Sequence, residues 1–266
     1  MTTRPTAVIT GASSGIGEAL THCFANAGHD LVLIARSVDK LNAVAKQFEA
    51  KHDIKVLVVP TDLAAPGAAQ KLAATLKRRK RVPDVLVNCA GVLEQQHFVR
   101  MTPAAHQAII DLNISALTAM LSHLLPLMVT RGSGRVLNVA SVAAFQPIPL
   151  LATYAASKAY VLSLTESLSE ELKGTGVTIT ALCPGITATN MFSSASDAND
   201  ALSKLPNFLI GEVDAVAREG FAACMRGEVI CVPGTVNRVL ALASRSTPKW
   251  LLRRLTGLLA RGSSSN

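Results

Sequence analysis

Short, continuous apolar runs alternate with longer helical patterns along most of this chain. Runs such as residues 7–10 and 31–35 lack the polar–apolar alternation of a half-exposed strand, so they predict strands buried on both faces. Repeated strand–helix units favour a parallel sheet with helices on both sides. We therefore expect a doubly wound α/β fold with about seven strands.

The same pattern sets the expected bounds of the elements. No linker rich in Pro, Gly or Ser interrupts the chain before its C-terminus, so residues 1–246 are expected to form a single domain, with 247–266 as a tail. Strands are predicted at 7–10, 31–35, 56–59, 85–88, 136–140, 177–182 and 229–232, and helices at 16–27, 39–51, 66–81, 105–130, 153–173 and 213–225.

The composition excludes several classes of protein. With 49% hydrophobic and 17% charged residues, the chain can bury a large core and is not intrinsically disordered. The net charge of +8 permits an anionic ligand or surface, but only 4% of residues are aromatic, which argues against nucleic-acid binding by base stacking. Five cysteines without a CxxC pair predict neither a disulfide framework nor a metal site. Since no signal-peptide pattern or membrane-spanning apolar run is present, we expect a cytoplasmic protein.

A glycine-rich segment, TGASSGIG at residues 10–17, joins the first predicted strand to the first helix. Its glycines permit a tight turn and close approach of a pyrophosphate, whose charge the helix N-terminus attracts. This predicts a dinucleotide site of the Rossmann type, with a loop that only packs tightly as the alternative. The overlapping G-x-S-x-G pattern does not indicate a nucleophile elbow, because only one strand precedes it. The residues expected at the phosphates are Gly11, Ser13, Ser14, Gly15, Ile16 and Gly17.

The end of the second strand indicates which dinucleotide binds. An NAD site usually has an acidic residue there for the ribose hydroxyls, whereas this chain has Arg36 and Ser37. Arg36 suits a 2′-phosphate by charge and paired hydrogen bonds, and Ser37 offers another donor. The sequence thus favours NADP(H) over NAD(H); the plainer interpretation of Arg36 is a solvated loop residue.

Tyr154 and Lys158 lie four residues apart on a predicted helix, so both side chains face the same side. A cation close to a phenol lowers a pKa that is otherwise near 10, which fits acid–base catalysis at neutral pH. Such a pair also arises by chance, so its meaning depends on the residues around it.

In the order and spacing of those residues, the chain resembles the short-chain dehydrogenase/reductase family over residues 6–190. One departure from the family pattern is Cys89, where asparagine is commoner. The matching segments are 10–17, Asp62–Leu63, NCAG at 88–91, Asn113, Ser141, YAASK at 154–158, and Pro184–Gly185 with Thr187.

The resemblance implies a role for each residue. Tyr154 would protonate the substrate oxygen as hydride arrives, or accept the proton in reverse. Lys158 would lower the pKa of Tyr154 and bind the nicotinamide ribose. Ser141 would hydrogen-bond the carbonyl, and Asn113 would hold a water molecule linking Lys158 to solvent. The further cofactor contacts that it implies are Asp62, Leu63, Asn88, Ala90, Gly91, Pro184, Gly185, Ile186 and Thr187.

The segments beyond the cofactor site are expected to line a substrate pocket. Their apolar side chains favour a lipophilic ketone or aldehyde over a sugar, although the same residues would suit an ordinary core. The stretch 189–207 is a candidate lid. The expected contacts are Leu93, Phe145, Ile148, Leu150, Met191, Phe192 and Phe208, together with Ser141.

The C-terminal segment 248–261 has apolar residues at helical spacing and basic residues on the other side. A basic amphipathic helix can lie on an anionic membrane, on a partner subunit or on its own core, and all three stay open here. The basic run at 77–81 suits a solvated helix end rather than a nucleic-acid site.

These observations predict an NADP(H)-dependent oxidoreductase that acts on a small-molecule carbonyl or alcohol. The resemblance makes a homodimer or homotetramer plausible. A non-catalytic dinucleotide sensor or scaffold on the same fold is the alternative, but such a protein would be expected to lack Ser141, Tyr154 or Lys158, and all three are present.

Overall fold

The computed structural model describes residues 4–187 and 211–247, together with Trp250 and Arg254. The candidate lid and the predicted contacts Met191, Phe192 and Phe208 lie outside these residues. Of the tail, only Thr247, Trp250 and Arg254 are described, so the division at residue 247 stays a prediction.

The described residues form a seven-stranded sheet in which every pair of neighbouring strands is parallel, as predicted. The strand order is β3-β2-β1-β4-β5-β6-β7. The chain adds β2 and β3 on one side of β1 and then crosses over to add β4 on the other side, so the topological switch point lies between β1 and β4. A crevice at the carboxyl ends of the strands is expected at such a switch point. The strands are β1 (Thr6–Thr10), β2 (Asp30–Ile34), β3 (Val56–Val58), β4 (Val85–Asn88), β5 (Gly134–Val139), β6 (Val177–Leu182) and β7 (Ile230–Cys231).

Helices cover both faces of the sheet. Helices α1, α2 and α7 pack on one face with Ile9 and Leu33, and α3, α5 and α6 pack on the other with Val8 and Val32. Alternate residues of one strand thus point into two different cores, which explains why the strands are mostly apolar on both faces. The helices are α1 (Gly15–Asn26), α2 (Val38–Lys51), α3 (Ala68–Arg78), α4 (Pro103–Ile110), α5 (Leu117–Arg131), α6 (Ala152–Glu171), α7 (Val213–Arg226) and α8 (Thr235–Ser246).

The predicted helix over 105–130 is present but is not regular. A π-helical turn, Asp111–Ala116, joins α4 to α5 and contains the buried Asn113. The combined helix, Pro103–Arg131, is long and apolar enough to cross a membrane by length and composition alone. Its residues Met120, Leu124 and Met128 are buried in the core against the sheet, so we interpret it as a core helix of this fold.

Helix α8 was not predicted, and its orientation explains why. The polar Asn237 and Ser244 face the rest of the protein, whereas Val236, Val239 and Leu240 are exposed. This reverses the usual amphipathic rule, on which recognition of a surface helix in a sequence depends.

Candidate active site

Thr10 joins the carboxyl ends of β1 and β4 at the switch point. Its hydroxyl oxygen accepts hydrogen bonds from the backbone N–H groups of Cys89 and Ala90, at 2.9 and 3.0 Å, and donates to the Val87 carbonyl at 3.2 Å. Thr10 begins the glycine-rich segment, yet the sequence did not single it out as a positioning residue. It holds this segment against the NCAG segment.

The glycines of this segment are required by close backbone approach. A Cβ on Gly17 would lie 2.2 Å from the Gly11 carbonyl oxygen, and one on Gly11 would lie 3.0 Å from the Ala90 nitrogen. Gly11 and Gly15 also have φ of +68° and +57°, a conformation that favours glycine. The backbone thus forms a cradle that has no space for side chains.

The N-terminus of α1 faces this cradle. Its N-cap residue, Ser14, makes no side-chain capping bond, and Gly15, Ile16 and Gly17 of the first turn line the adjoining cavity. The first N–H groups of a helix lack partners within it, and the helix dipole is positive at this end. The cradle therefore fits a pyrophosphate.

One cavity of about 720 Å³ runs from this cradle to the N-terminal turns of α6. It brings together most of the residues that the sequence predicted, from separate parts of the chain. The predicted residues that line it are Gly11, Ser13, Ser14, Gly15, Ile16, Gly17, Arg36, Ser37, Asp62, Leu63, Ala90, Gly91, Leu93, Ser141, Ile148, Tyr154, Lys158, Pro184, Gly185, Ile186 and Thr187.

Among the predicted site residues that the structure describes, four do not line the cavity: Asn88, Asn113, Phe145 and Leu150. Asn88 is buried and donates to the side chain of Asn138 on the neighbouring strand, at 2.9 Å, because the two residues are in register. Phe145 packs on the hydrophobic core. Leu150 has a φ of +69°, and its carbonyl accepts a hydrogen bond from the backbone N–H of Gln96. Its main chain thus shapes the loop whose residues Pro149 and Leu151 line the cavity.

Asn113 positions the wall of the cavity. Its side-chain oxygen accepts from the Val92 N–H at 2.9 Å, and its side-chain nitrogen donates to the Val92 carbonyl at 2.9 Å and to Ser157 at 3.1 Å. Both amide donors are therefore used within the protein. The water that the family resemblance placed at Asn113 stays a prediction, while the structure ties Asn113 to the chain beside Gly91.

Tyr154, Lys158 and Ser141 meet at the end of the cavity. Ser141 follows β5 and hydrogen-bonds the phenol of Tyr154. The Lys158 ammonium donates to the Val139 carbonyl at 2.8 Å and stands 5.7 Å from the centre of the Tyr154 ring. The spacing of four residues on α6 does place both side chains on one face, as predicted.

The expected lowering of the Tyr154 pKa is not what the structure shows. Burial raises the pKa of the phenol, and the hydrogen bond from Ser141 opposes that rise. Burial lowers the pKa of Lys158 to about 8. A lowered pKa would require the ammonium to lie beside the phenolic oxygen, whereas Lys158 is held at the Val139 carbonyl and burial has the larger effect on the phenol.

The opposite end of the cavity is basic. Arg36 and Ser37 line it, and so does Lys40, which the sequence analysis did not select. Lys40 lies three residues beyond Ser37, the N-cap of α2, and one turn of helix brings it back to the same side. The spacing of three residues between Ser37 and Lys40 could therefore have predicted from the sequence that Lys40 belongs to this end of the site.

Helix α8 supports two loops of the cavity, a contribution that the sequence did not reveal. A Cβ on Gly185 would lie 2.5 Å from the Asn237 side chain, so the 184–187 loop packs directly on α8. Ser244 donates to the Gln146 side chain at 3.3 Å, and Gln146 lines the cavity.

The arrangement offers two hydroxyl groups, those of the partly buried Ser141 and the buried Tyr154, at one end and an anion-binding cradle with two cations at the other. This suits proton transfer to the oxygen of a compound held beside an extended, phosphate-bearing ligand. Within residues 4–187 and 211–247, no group of three or more His, Cys, Asp or Glu side chains could hold a metal ion.

Comparisons with known proteins agree with this geometry. The family profile described as short chain dehydrogenase matches residues 5–200. A 3-oxoacyl-[acyl-carrier-protein] reductase of Synechocystis is 34% identical over 216 residues, which cover 81% of this chain and 87% of the relative.

Two solved structures extend the comparison. A short-chain dehydrogenase from Sphingobium yanoikuyae in complex with NADPH is 32% identical, with a TM-score of 0.79 over 90% of this chain and 92% of that one. The bulky-bulky ketone specific alcohol dehydrogenase from Comamonas testosteroni is 26% identical, with a TM-score of 0.78 over 97% and 95%.

Proposed function

The chain belongs to the short-chain dehydrogenase family, and on that premise we propose that it is an NADP(H)-dependent oxidoreductase that interconverts a ketone or aldehyde with its alcohol. The observation that carries the proposal is one cavity that joins Ser141, Tyr154 and Lys158 to the glycine cradle. The test is NADPH oxidation with a panel of ketones and aldehydes. A non-catalytic sensor would bind NADPH and reduce none of these compounds.

The residues divide the work of reduction as follows. NADPH, when bound, supplies the hydride to the carbonyl carbon. Ser141 donates a hydrogen bond to the carbonyl oxygen and stabilises the charge that develops there. Tyr154 would transfer its phenolic proton to that oxygen. The carbonyl π bond, the Tyr154 O–H bond and the C–H bond of the reduced cofactor would then be exchanged for the C–H and O–H bonds of the alcohol, leaving a tyrosinate and NADP+. Oxidation of the alcohol runs through the same steps in reverse.

Lys158 determines how this reaction responds to pH. With a pKa of about 8, its ammonium is charged below that pH and neutral above it. A positive charge 5.7 Å from the centre of the Tyr154 ring favours the negative charge that develops during reduction, even though burial has the larger effect on the phenol itself. We therefore expect kcat/KM for ketone reduction to be level near neutral pH and to fall above about pH 8. A pH–rate profile with NADPH tests this. Lys158→Arg, whose guanidinium stays charged, should be slower overall and lack the fall; an unchanged falling limb would contradict the assignment.

The preference for NADP(H) is supported by the basic end of the cavity. Arg36 and Lys40 both line it, and neither makes an ion pair among the described residues. Two unpaired cations and the Ser37 hydroxyl suit a 2′-phosphate. The NADPH complex of the Sphingobium yanoikuyae relative supports the same choice.

Removing these cations should change the cofactor preference. We expect Arg36→Ala to raise the Kd for NADPH about tenfold, and the double variant with Lys40→Ala about 100-fold, while NADH affinity stays within about twofold. Isothermal titration of the parent protein and both variants with NADPH and with NADH measures these dissociation constants. Lys46→Ala, an exposed cation on the same helix that does not line the cavity, is the matched control. Tighter binding of NADH than of NADPH by the unaltered protein would contradict the preference.

We also propose a lipophilic substrate. Beyond Tyr154 the wall is mainly aliphatic, with Gln95 and Gln146 as its polar members; the aliphatic residues are Val92, Leu93, Val142, Ala143, Ile148, Pro149 and Leu151. Apolar walls with a few polar groups bind substrates with large apolar parts. The ketone dehydrogenase from Comamonas testosteroni supports this class, and activity confined to sugars would contradict it.

Two further properties follow as proposals. A groove between α5 and α6, lined mainly by apolar residues that include Leu121, Leu125 and Leu164, suits contact between copies of the chain in a homodimer or homotetramer. Light scattering of the purified protein gives the mass of the assembly.

A cytoplasmic location is also proposed, because the five cysteines do not form the pattern of a disulfide framework. Fractionation of the source cells tests it.

A further inference from the structure

Helix α8 presents an apolar stripe to solvent. Val236, Val239 and Leu240 are 48%, 62% and 55% exposed, and their spacing of three and four residues places them on one face. The exposed Ala243 extends the same face by one turn. Contiguous exposed apolar residues, unlike apolar residues scattered singly over a surface, are typical of an interaction surface.

The charge of this part of the chain indicates what the stripe contacts. Residues 235–266 contain no Asp or Glu and six cations, namely Arg238, Arg245, Lys249, Arg253, Arg254 and Arg261. Most of the net charge of +8 therefore lies at this end of the chain. Arg238 forms an ion pair with Glu219 at 2.8 Å, so its charge is partly neutralised. The other five cations have no Asp or Glu near them in the sequence after residue 234.

Trp250 and Arg254 continue the same chemistry past α8. Trp250 is 54% exposed, and the Arg254 guanidinium lies 5.8 Å from the centre of its ring. Tryptophan and arginine next to one another suit the boundary between lipid headgroups and acyl chains, where an aromatic ring and a cation both find partners.

We propose that the apolar stripe of α8, together with Trp250 and Arg254, forms a docking surface for an anionic phospholipid membrane. The stripe enters the headgroup region, and the cations pair with lipid phosphates and carboxylates. A second copy of the chain suits this surface less well, because two such basic segments would repel each other. Through Asn237 and Ser244 the same helix supports the cavity, so docking would take place beside the substrate site.

The test is co-sedimentation of the full-length protein with vesicles of phosphatidylcholine alone and of phosphatidylcholine with about one-third phosphatidylserine. We expect partitioning onto the anionic vesicles at least tenfold stronger than onto the neutral ones, and largely lost in about 0.5 M salt. The triple variant Val236→Ser, Val239→Ser and Leu240→Ser should lose at least tenfold. Phe98→Ser with Val99→Ser, which removes exposed apolar residues elsewhere, should bind as the parent does.

Three results would overturn the proposal. The first is equal binding to both vesicle types. The second is full lipid binding by the triple variant with an unchanged particle mass in light scattering. The third is full lipid binding by a triple variant whose particle mass in light scattering is lower than that of the parent protein. The last result would identify the stripe as a contact between copies. NADPH oxidation by the triple variant, which alters no cavity residue, checks that it is folded and keeps this test separate from the proposed activity.

Discussion

Tyr154→Phe is expected to lower kcat for ketone reduction by about a thousandfold while leaving NADPH affinity within about twofold, because general acid catalysis typically contributes factors of this size. The substitution removes the hydroxyl that Ser141 hydrogen-bonds and keeps the ring that packs with Ala143 and Ala155. Steady-state kinetics with NADPH and the best ketone of the panel measures kcat, and fluorescence titration measures cofactor affinity.

The chain supplies a matched control for this experiment. It contains one other tyrosine, Tyr160, which lies on the same helix, is partly exposed and hydrogen-bonds Thr118 at 2.9 Å. Tyr160→Phe should retain the parent kcat. A Tyr154→Phe protein that keeps more than about a tenth of the parent kcat would show that another group donates the proton, and the assignment of Tyr154 would then be wrong.

Gly17→Ala should raise the Kd for NADPH by about 100-fold or more. The new Cβ would lie 2.2 Å from the Gly11 carbonyl oxygen and 2.7 Å from the Gly11 carbonyl carbon, so the helix start must move away from the turn. Overpacking of a close backbone contact typically costs about 1–3 kcal/mol or more. The same movement would displace the N–H groups that face the phosphates. Equilibrium binding of NADPH measures the affinity, and thermal unfolding measures the lost stability.

Gly28→Ala separates this effect from a general loss of glycine flexibility. Gly28 follows α1, has a φ of +77° and has no atom within 4 Å of its ideal Cβ. The variant should lower the free energy of unfolding through backbone strain and leave NADPH affinity unchanged. If both variants lost cofactor affinity equally, the close contact at Gly17 would not be the reason.

The strands were the best-predicted part of the fold, for a physical reason. Val85–Asn88 and Val177–Leu182 begin and end at the predicted residues, since a strand buried on both faces is mostly apolar and differs clearly from the polar segments on either side of it. Helix ends moved by up to three residues; α3, for example, ends at Arg78 where Arg81 was predicted. The end of a helix depends on capping and on neighbouring chain, which periodicity does not record.

The candidate site was predicted in composition more than in geometry. Spacing placed Tyr154 and Lys158 on one face, but only the folded chain showed that Lys158 bonds to Val139 and that burial raises the pKa of the phenol. Asn88 and Asn113 were expected at the cofactor and at a water molecule, yet their side chains bond to Asn138 and Val92. A buried amide takes whichever partners its neighbours provide, and these come from distant parts of the sequence.

The sequence by itself determined the order of the strands and of the helices before α8, the glycine cradle and the candidate residues for the chemistry. These depend on side-chain polarity, local spacing and backbone freedom, which are properties of short segments. The tertiary structure decided which of those residues line the cavity, that Lys40 joins Arg36 there, and that α8 turns its polar residues inward and an apolar stripe outward. Burial and hydrogen bonding depend on contacts between segments far apart in the chain, so they are settled only when the whole chain has folded.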